Sequence, residues 1–352
     1  MIAPTLDSIL RRGSLLVAGS RTALRFGFVT AMTFLGLLAI TFFIGRVVPI
    51  DPVVAVVGDR ASQAVYDATF IEMGLDRPLV EQFALYVRDV VTGDFGISLS
   101  TGRPVMDDLI RFFPATFEMA TFGILIGVLL GVPMGVVAAA NAGSWLDQMI
   151  RVLGLLGYAV PAFWMGLVAL AVFYAGLGWT AGPGRIDIFY DGLVPTITGL
   201  LTVDAIIAGD WVVLKSALSH LVLPSAILGF FSLAYIARMT RSFMLDQLQQ
   251  EFVTTARVKG ASEWAVIWKH AFYPIRVHLI TVIGLSYAVL LEGSVMVEIV
   301  FSWPGIGNYL TTALLSADMN AVLGATILIG TVFIVINRTS DVLYHIFDPR
   351  SR

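Results

Sequence analysis

Six stretches of this chain are too long and too apolar to sit in water: about 26–46, 116–140, 152–176, 216–240, 279–302 and 319–345. The first has no charged residue from Phe26 to Gly45, and the second none from Met119 to Asn141. Runs of about 18 or more such residues read as membrane helices. Pro161 and Pro224 lie inside the third and fourth, which lipid tolerates when neighbours re-satisfy the freed backbone groups. The expected fold is therefore an all-α polytopic membrane protein with six transmembrane helices. With 57% hydrophobic and 13% charged residues, the chain lacks the charge of a soluble domain. Its net charge of −3 gives no sign of a nucleic-acid partner, and with no cysteine it has no disulfide, thiolate metal site or Cys nucleophile.

Basic residues orient the spans. The loop between spans four and five carries Arg241, Arg257, Lys259, Lys269 and Arg276, while the loop between five and six carries none. Between three and four, Arg185 and Lys215 face Asp187, Asp191, Asp204 and Asp210. Arg11, Arg12, Arg21 and Arg25 precede the first span, and Arg350 and Arg352 end the chain. Short loops rich in Lys and Arg stay cytoplasmic, so both termini are expected inside. The first apolar run is longer than a signal-peptide core and shows no small-residue cleavage site, so an uncleaved span is expected. The resulting organisation has a cytoplasmic segment at 1–25, a first helix at 26–48 and an external helical subdomain at 49–114. A five-helix core follows at 115–345 with a cytoplasmic loop at 243–277, then a tail at 346–352. Leu6, Ile9, Leu10 and Leu16 could place an amphipathic helix in the first segment. In the external subdomain Gly74 and Gly93 suit helix stops, Pro78 a helix start, and Leu79, Phe83, Val87 and Val90 one packed face. The stretch 192–203, too short to span and holding Pro195, reads as interfacial or re-entrant.

The cytoplasmic loop contains EFVTTARVKG (251–260). Asp246 and Glu251 precede Arg257 and Lys259, an order that complements a helix dipole. Gly260 offers a stop and Ser262 an N-cap for a second helix with Trp264, Ile267, Trp268, Ala271 and Ile275 on its apolar face. Two short helices with a glycine joint are expected. Phe252, Ala256 and Gly260 share one face, flanked by Arg257 and Lys259. The residues alone leave two readings: a helix lying on lipid headgroups, or a docking helix for a cytoplasmic partner.

The E-F-V-x-x-A-R-x-K-G pattern resembles the "EAA" loop of ABC-type importer permeases, in the dipeptide/oligopeptide/nickel branch. Other segments resemble the same branch in the same order: GLDRPLVEQF (74–83), GDFGISLSTGRPV (93–105), PATFEMA (114–120), GSWLDQMIRVLGLLGYAVPAFWMG (143–166), LLTVDAIIAGDW (200–211), FSWPGIG (301–307) and FDPR (347–350). His278 stands where that family often has proline, and Glu292 where a small or neutral residue is expected. The resemblance implies a permease subunit in the bacterial inner membrane, not itself an enzyme. It would work with a second homologous permease, two cytoplasmic ATPase subunits and an external substrate-binding protein. The chain would bind no cofactor or metal, with ATP and Mg on the partner subunits. It has no P-loop: Lys215, Lys259 and Lys269 each lack a preceding glycine. The histidines (His220, His270, His278, His345) show no metal-type spacing, and His220 reads as interfacial.

The resemblance assigns ATPase coupling to Glu251, Phe252, Ala256, Arg257, Lys259 and Gly260. It assigns contact with the binding protein to Phe301, Ser302, Trp303, Pro304, Gly305 and Gly307, although a re-entrant turn anchored by an interfacial Trp303 explains that loop equally well. Glu292 and Glu298 are candidate pathway residues, since carboxylates in a span face the bundle interior or water. Glu298, near the outer end, reads as a structural carboxylate. Glu292 lies deeper, suited to a partner permease or a peptide ammonium. Small peptides are the expected cargo, with nickel chelates or glutathione-like compounds as alternatives. The rival class is an ion-gradient-driven secondary transporter, which would show internal repeats.

Overall fold

The computed structural model describes residues 27–45, 52–58 and 60–347. The expected amphipathic segment near the N-terminus and most of the C-terminal tail lie outside these residues. The chain divides into two compact units, Met1–Asp94 and Phe95–Arg352. Among the described residues there is no strand, only an isolated bridge between Ile97 and Pro104. Among the described residues five helices are long and apolar enough to cross a membrane, or six if one bent pair counts as a single span.

The first unit holds α1 (Gly27–Gly45), α2 (Pro52–Val57), α3 (Gln63–Glu72) and α4 (Leu79–Thr92). The apolar stripe of α4 is used in part. Phe83 and Tyr86 pack on Phe42 at 5.3 and 5.6 Å, and the Tyr86 hydroxyl meets Thr41 Oγ1 at 2.8 Å. Val90 is buried, whereas Leu79 is exposed. Pro78 is the N-cap of α4, and Gly93 ends the helix at φ +80°.

The second unit is built on α5 (Val105–Ala140) and α9 (Trp211–Leu248). α5 starts well before residue 114, inside the segment expected to be an external subdomain. Gly123, Gly127, Gly131 and Gly135 recur every fourth residue along α5 and face α9. A Cβ at Gly123 would come 2.8 Å from Leu228 Cβ, and one at Gly135 would come 2.6 Å from the Ala237 carbonyl oxygen. Lipid supplies no hydrophobic drive between helices, so close backbone approach and dispersion must hold this seam. The third expected span is broken. α6 (Trp145–Ala159) and α7 (Ala162–Ala169, continued by a π-turn over Leu170–Gly176) meet at Pro161 with a bend of 103°. Val160, forced extended by the proline that follows, ends α6 at φ −96°, ψ 124°.

After α8 (Leu201–Ala208) and α9 comes α10 (Glu251–Val258). The expected second loop helix is instead the start of the fifth span. α11 (Glu263–Ala265), a π-turn over Val266–Ala271 and α12 (Phe272–Gly293) run on as one element. The π-turn lies just before Pro274, and such a local adjustment re-satisfies carbonyls that proline cannot serve. α13 (Val295–Val300) and α14 (Ile306–Leu315) follow, so the fifth span stops at Gly293 and not at 302. α15 (Met319–Phe347) is the last span.

Candidate functional site

α10 begins where α9 breaks, at Gln249 and an extended Gln250 (φ −75°, ψ 148°), and ends at Gly260 with φ +85°. A left-handed turn of this kind favours glycine. Asp246 belongs to α9 and not to the loop helix. Val253 and Ala256 face inward, packing in one cluster with Met244, Val266, Ala271 and Ile275. Ala256 is 8% exposed, so it does not share a presented face with Phe252 and Gly260 as the sequence suggests. The outward side carries Glu251, Phe252 (45% exposed), Thr255, Val258 (84%) and Lys259. Val258 escapes sequence reasoning, and Trp264, expected on the packed apolar face of the second helix, is exposed instead. Val258 carries one signal: an apolar residue between Arg257 and Lys259. Arg257 does not extend away; it forks onto Glu263, Nε to Oε1 at 2.9 Å and Nη2 to Oε2 at 3.3 Å, bracing the turn. Both side chains are exposed, so this pair contributes little stability and mainly sets geometry.

The base of α9 is tied to α6. Arg241 donates to Asp147 through Nε (2.6 Å to Oδ1) and Nη2 (2.8 Å to Oδ2), and the Gly143 N–H donates to the same carboxylate at 3.0 Å. Asp147 is buried, and a two-pronged Arg–carboxylate contact fixes orientation as well as charge. No sequence signal links these residues, which stand 94 apart.

At the opposite end Glu298 is fully buried. Its Oε1 accepts from Thr116 Oγ1 (2.6 Å) and Ser294 Oγ (2.9 Å), and its Oε2 from the Asn308 N–H (2.8 Å). A Cβ at Gly305 would lie 2.5 Å from its carboxyl carbon, so the loop can close over Glu298 only with glycine there. Trp303, 1% exposed, donates from Nε1 to the Ala115 carbonyl at 3.0 Å. It is an internal strut, not an interfacial anchor. Phe301, Gly305 and Gly307 are buried too, Pro304 partly, and of the six expected contact residues only Ser302 is exposed, at φ +47°. The two candidate pathway glutamates therefore part. Glu298 is enclosed, whereas Glu292 is exposed at the rim of a narrow crevice with Phe113, Leu291 and Phe333.

Two further carboxylates hold the same end. Glu118 accepts from Arg185 Nη2 (2.7 Å) and from the N–H and hydroxyl of Thr202 (2.7 and 2.6 Å). Asp204 accepts from the N–H groups of Ile197, Thr198 and Gly199 and from the Thr198 hydroxyl. Burial opposes its charge, but these donors prevail and hold its carboxyl below the usual range. His220 is buried, with Nδ1 2.8 Å from the Ser216 carbonyl and Nε2 3.8 Å from Asp187 Oδ1. Among the described residues no cluster of His, Asp and Glu could hold a metal.

Residues 131–352 match the family described as "Binding-protein-dependent transport system inner membrane component", and residues 21–120 match its N-terminal companion. The chain is 40% identical over 316 residues to the probable D,D-dipeptide transport system permease protein DdpB of Escherichia coli (strain K12), covering 90% of this chain and 92% of that one. It is 38% identical over 321 residues to the di/tripeptide transport system permease protein DppB of Pseudomonas aeruginosa (strain UCBPP-PA14), covering 91% and 95%. Among solved structures, an inward-facing MetNI methionine ABC transporter aligns with a TM-score of 0.50 at 16% identity, over 69% of this chain and 97% of that one. At that identity the likeness concerns fold alone.

Proposed function

Because the chain belongs to the family of binding-protein-dependent transport inner-membrane components, we propose that it forms one membrane half of an ATP-driven importer of short peptides. The cargo class comes from relatives whose names specify D,D-dipeptide and di/tripeptide transport. Its partners would be a second permease, two ATPase subunits that carry ATP and Mg, and an external binding protein. α10 and both termini would face the cytoplasm.

The observation that carries this reading is the mounting of α10. Val253 and Ala256 root it in the bases of α9 and α12, while Phe252, Thr255, Val258 and Lys259 face outward. A rigid short helix on two long ones passes on a displacement that a flexible loop would absorb. Two exposed apolar residues amid polar ones suit an anchor in a protein groove better than a helix lying flat on lipid. Coupling therefore falls on Phe252, Val258 and Lys259, with Glu251 beside them. Ala256, Arg257 and Gly260 hold the helix in place. Glu292 remains the pathway carboxylate, available to a peptide ammonium.

The test is Phe252→Glu and Val258→Glu in the reconstituted importer. Each should lower peptide-stimulated ATPase activity about tenfold or more, the loss expected from charging an apolar anchor, with an unchanged melting temperature. Undiminished stimulation in both variants would remove α10 from the coupling path.

A further inference from the structure

Beside the α6–α7 bend a trough of about 540 Å³ opens between α9 and α12. Leu228, Phe231 and Tyr235 of α9 and Leu285, Val289 and Leu290 of α12 form its walls, and Gly157 and Ala162, either side of the bend, complete them. Ser232 and Ser286 also border it, but both are buried and their hydroxyls meet at 3.3 Å. Among the described residues no hydrogen bond engages the Tyr235 hydroxyl. Arg238 borders the trough too but is already engaged, its guanidinium 5.7 Å from the Tyr235 ring centre. From Leu228 to Tyr235 the trough follows α9 for about 10 Å. An extended chain advances about 3.3–3.6 Å per residue, so about two or three residues fit lengthwise.

The side to which the trough opens follows from α12. Leu285, Val289 and Glu292, at i, i+4 and i+7, form one exposed face of that helix. A carboxylate on a span turns to water or protein and not to acyl chains. Leu285 and Val289 share that face and border the trough, so its mouth is not a lipid surface.

We infer that this trough is a transit site for the peptide cargo and favours apolar side chains. The inference rests on the peptide-import reading above and adds to it where the cargo lies and what it is selected for. The peptide runs along α9 with side chains against Leu228, Phe231 and Val289, and one of its carbonyls accepts from the Tyr235 hydroxyl. An apolar cleft with few polar groups is the usual form of such a site. A cationic side chain would lose its water there and find no carboxylate among the lining residues. A helix of a second permease is a poorer occupant. Its carbonyls are already satisfied within the helix, whereas an extended peptide brings free ones to Tyr235.

The complete importer is reconstituted and supplied with its binding protein loaded with dileucine or with diglycine, and uptake of each is timed. Val289→Trp fills the trough from an exposed position. It should lower dileucine uptake about tenfold or more, the worth of a buried leucine side chain, and diglycine uptake less than about threefold. Tyr235→Phe should lower both about fivefold, the worth of one hydrogen bond. Leu129→Trp, exposed on α5 outside the trough, should change neither. Melting temperature and co-purifying subunits confirm that the variants are assembled. An equal effect of Val289→Trp on the two peptides would overturn the inference and leave peptide import standing. So would wild-type dileucine uptake in both trough variants. Loss of the second permease from the purified Val289→Trp complex would overturn it by assigning the trough to a subunit interface. Uptake of neither peptide by the wild type would remove the peptide-import reading, and the transit site with it.

Discussion

At Gly127 a single hydrogen atom decides whether two helices can meet. A Cβ there would lie 2.6 Å from Ser232 Cβ and 3.2 Å from the Leu233 nitrogen, both on a helix that cannot yield locally. Gly127→Leu should therefore cost about 1–3 kcal/mol or more through overpacking, read as a fall in melting temperature in detergent. Gly36→Ala, with no atom within 4 Å of the added carbon, is the control and should be neutral. Asp204 acts through charge, not volume. Its folded carboxyl titrates below the unfolded value of about 3.9, so its contribution is complete above that value and is lost as pH falls through the lower folded one. Asp204→Asn should lower stability at neutral pH by about 1–3 kcal/mol and flatten the acid dependence below about pH 4. Thermal unfolding across that range distinguishes it from wild type. The glycine repeat went unread in the sequence, because its spacing alone names no partner. Asp204 was visible only as one of four acids in a loop.

Among elements, the membrane helices were the most legible, because lipid demands long uncharged runs and little else produces them. Their ends were not. Gln249 and Gln250 break α9 from α10 without glycine or proline, so Asp246–Leu248 read equally well as part of the loop helix. From Glu263 to Gly293 the only proline is Pro274, and the π-turn before it absorbs the defect, so the expected separate helix is the foot of the fifth span. A periodicity argument also placed Ala256 on the presented face, whereas the neighbouring bases of α9 and α12 claim it. Ala256→Glu should accordingly destabilise the fold by about 2 kcal/mol or more, through a carboxylate set among Val253, Met244 and Ile275. Melting temperature separates this from Val258→Glu, which should leave the fold intact and weaken coupling alone. Equal melting temperatures for the two would mean that Ala256 yields to solvent.

For the molecule as a whole, the ties lie at the two ends and the seam lies between them. Glu298 and Glu118 bind α5 to the loops at one end, Asp147 binds α6 to α9 at the other, and the α5 glycines hold the middle. These ties join residues 67 to 182 positions apart, which is why sequence reading named the spans but not their fastenings. A unit fastened in this way should move as one body, so opening and closing would occur between permease copies and not between α9 and α12 of one copy. The chain has no cysteine, which allows a clean test. Ser232 Oγ on α9 and Ser286 Oγ on α12 lie 3.3 Å apart, close enough for a disulfide in Ser232→Cys with Ser286→Cys. Oxidised importer should keep peptide uptake within about twofold of wild type if the helices never separate. Uptake that vanishes on oxidation and returns with dithiothreitol would show that α9 and α12 part in every cycle, and a displacement entering at α10, as proposed above, would be spent inside the subunit.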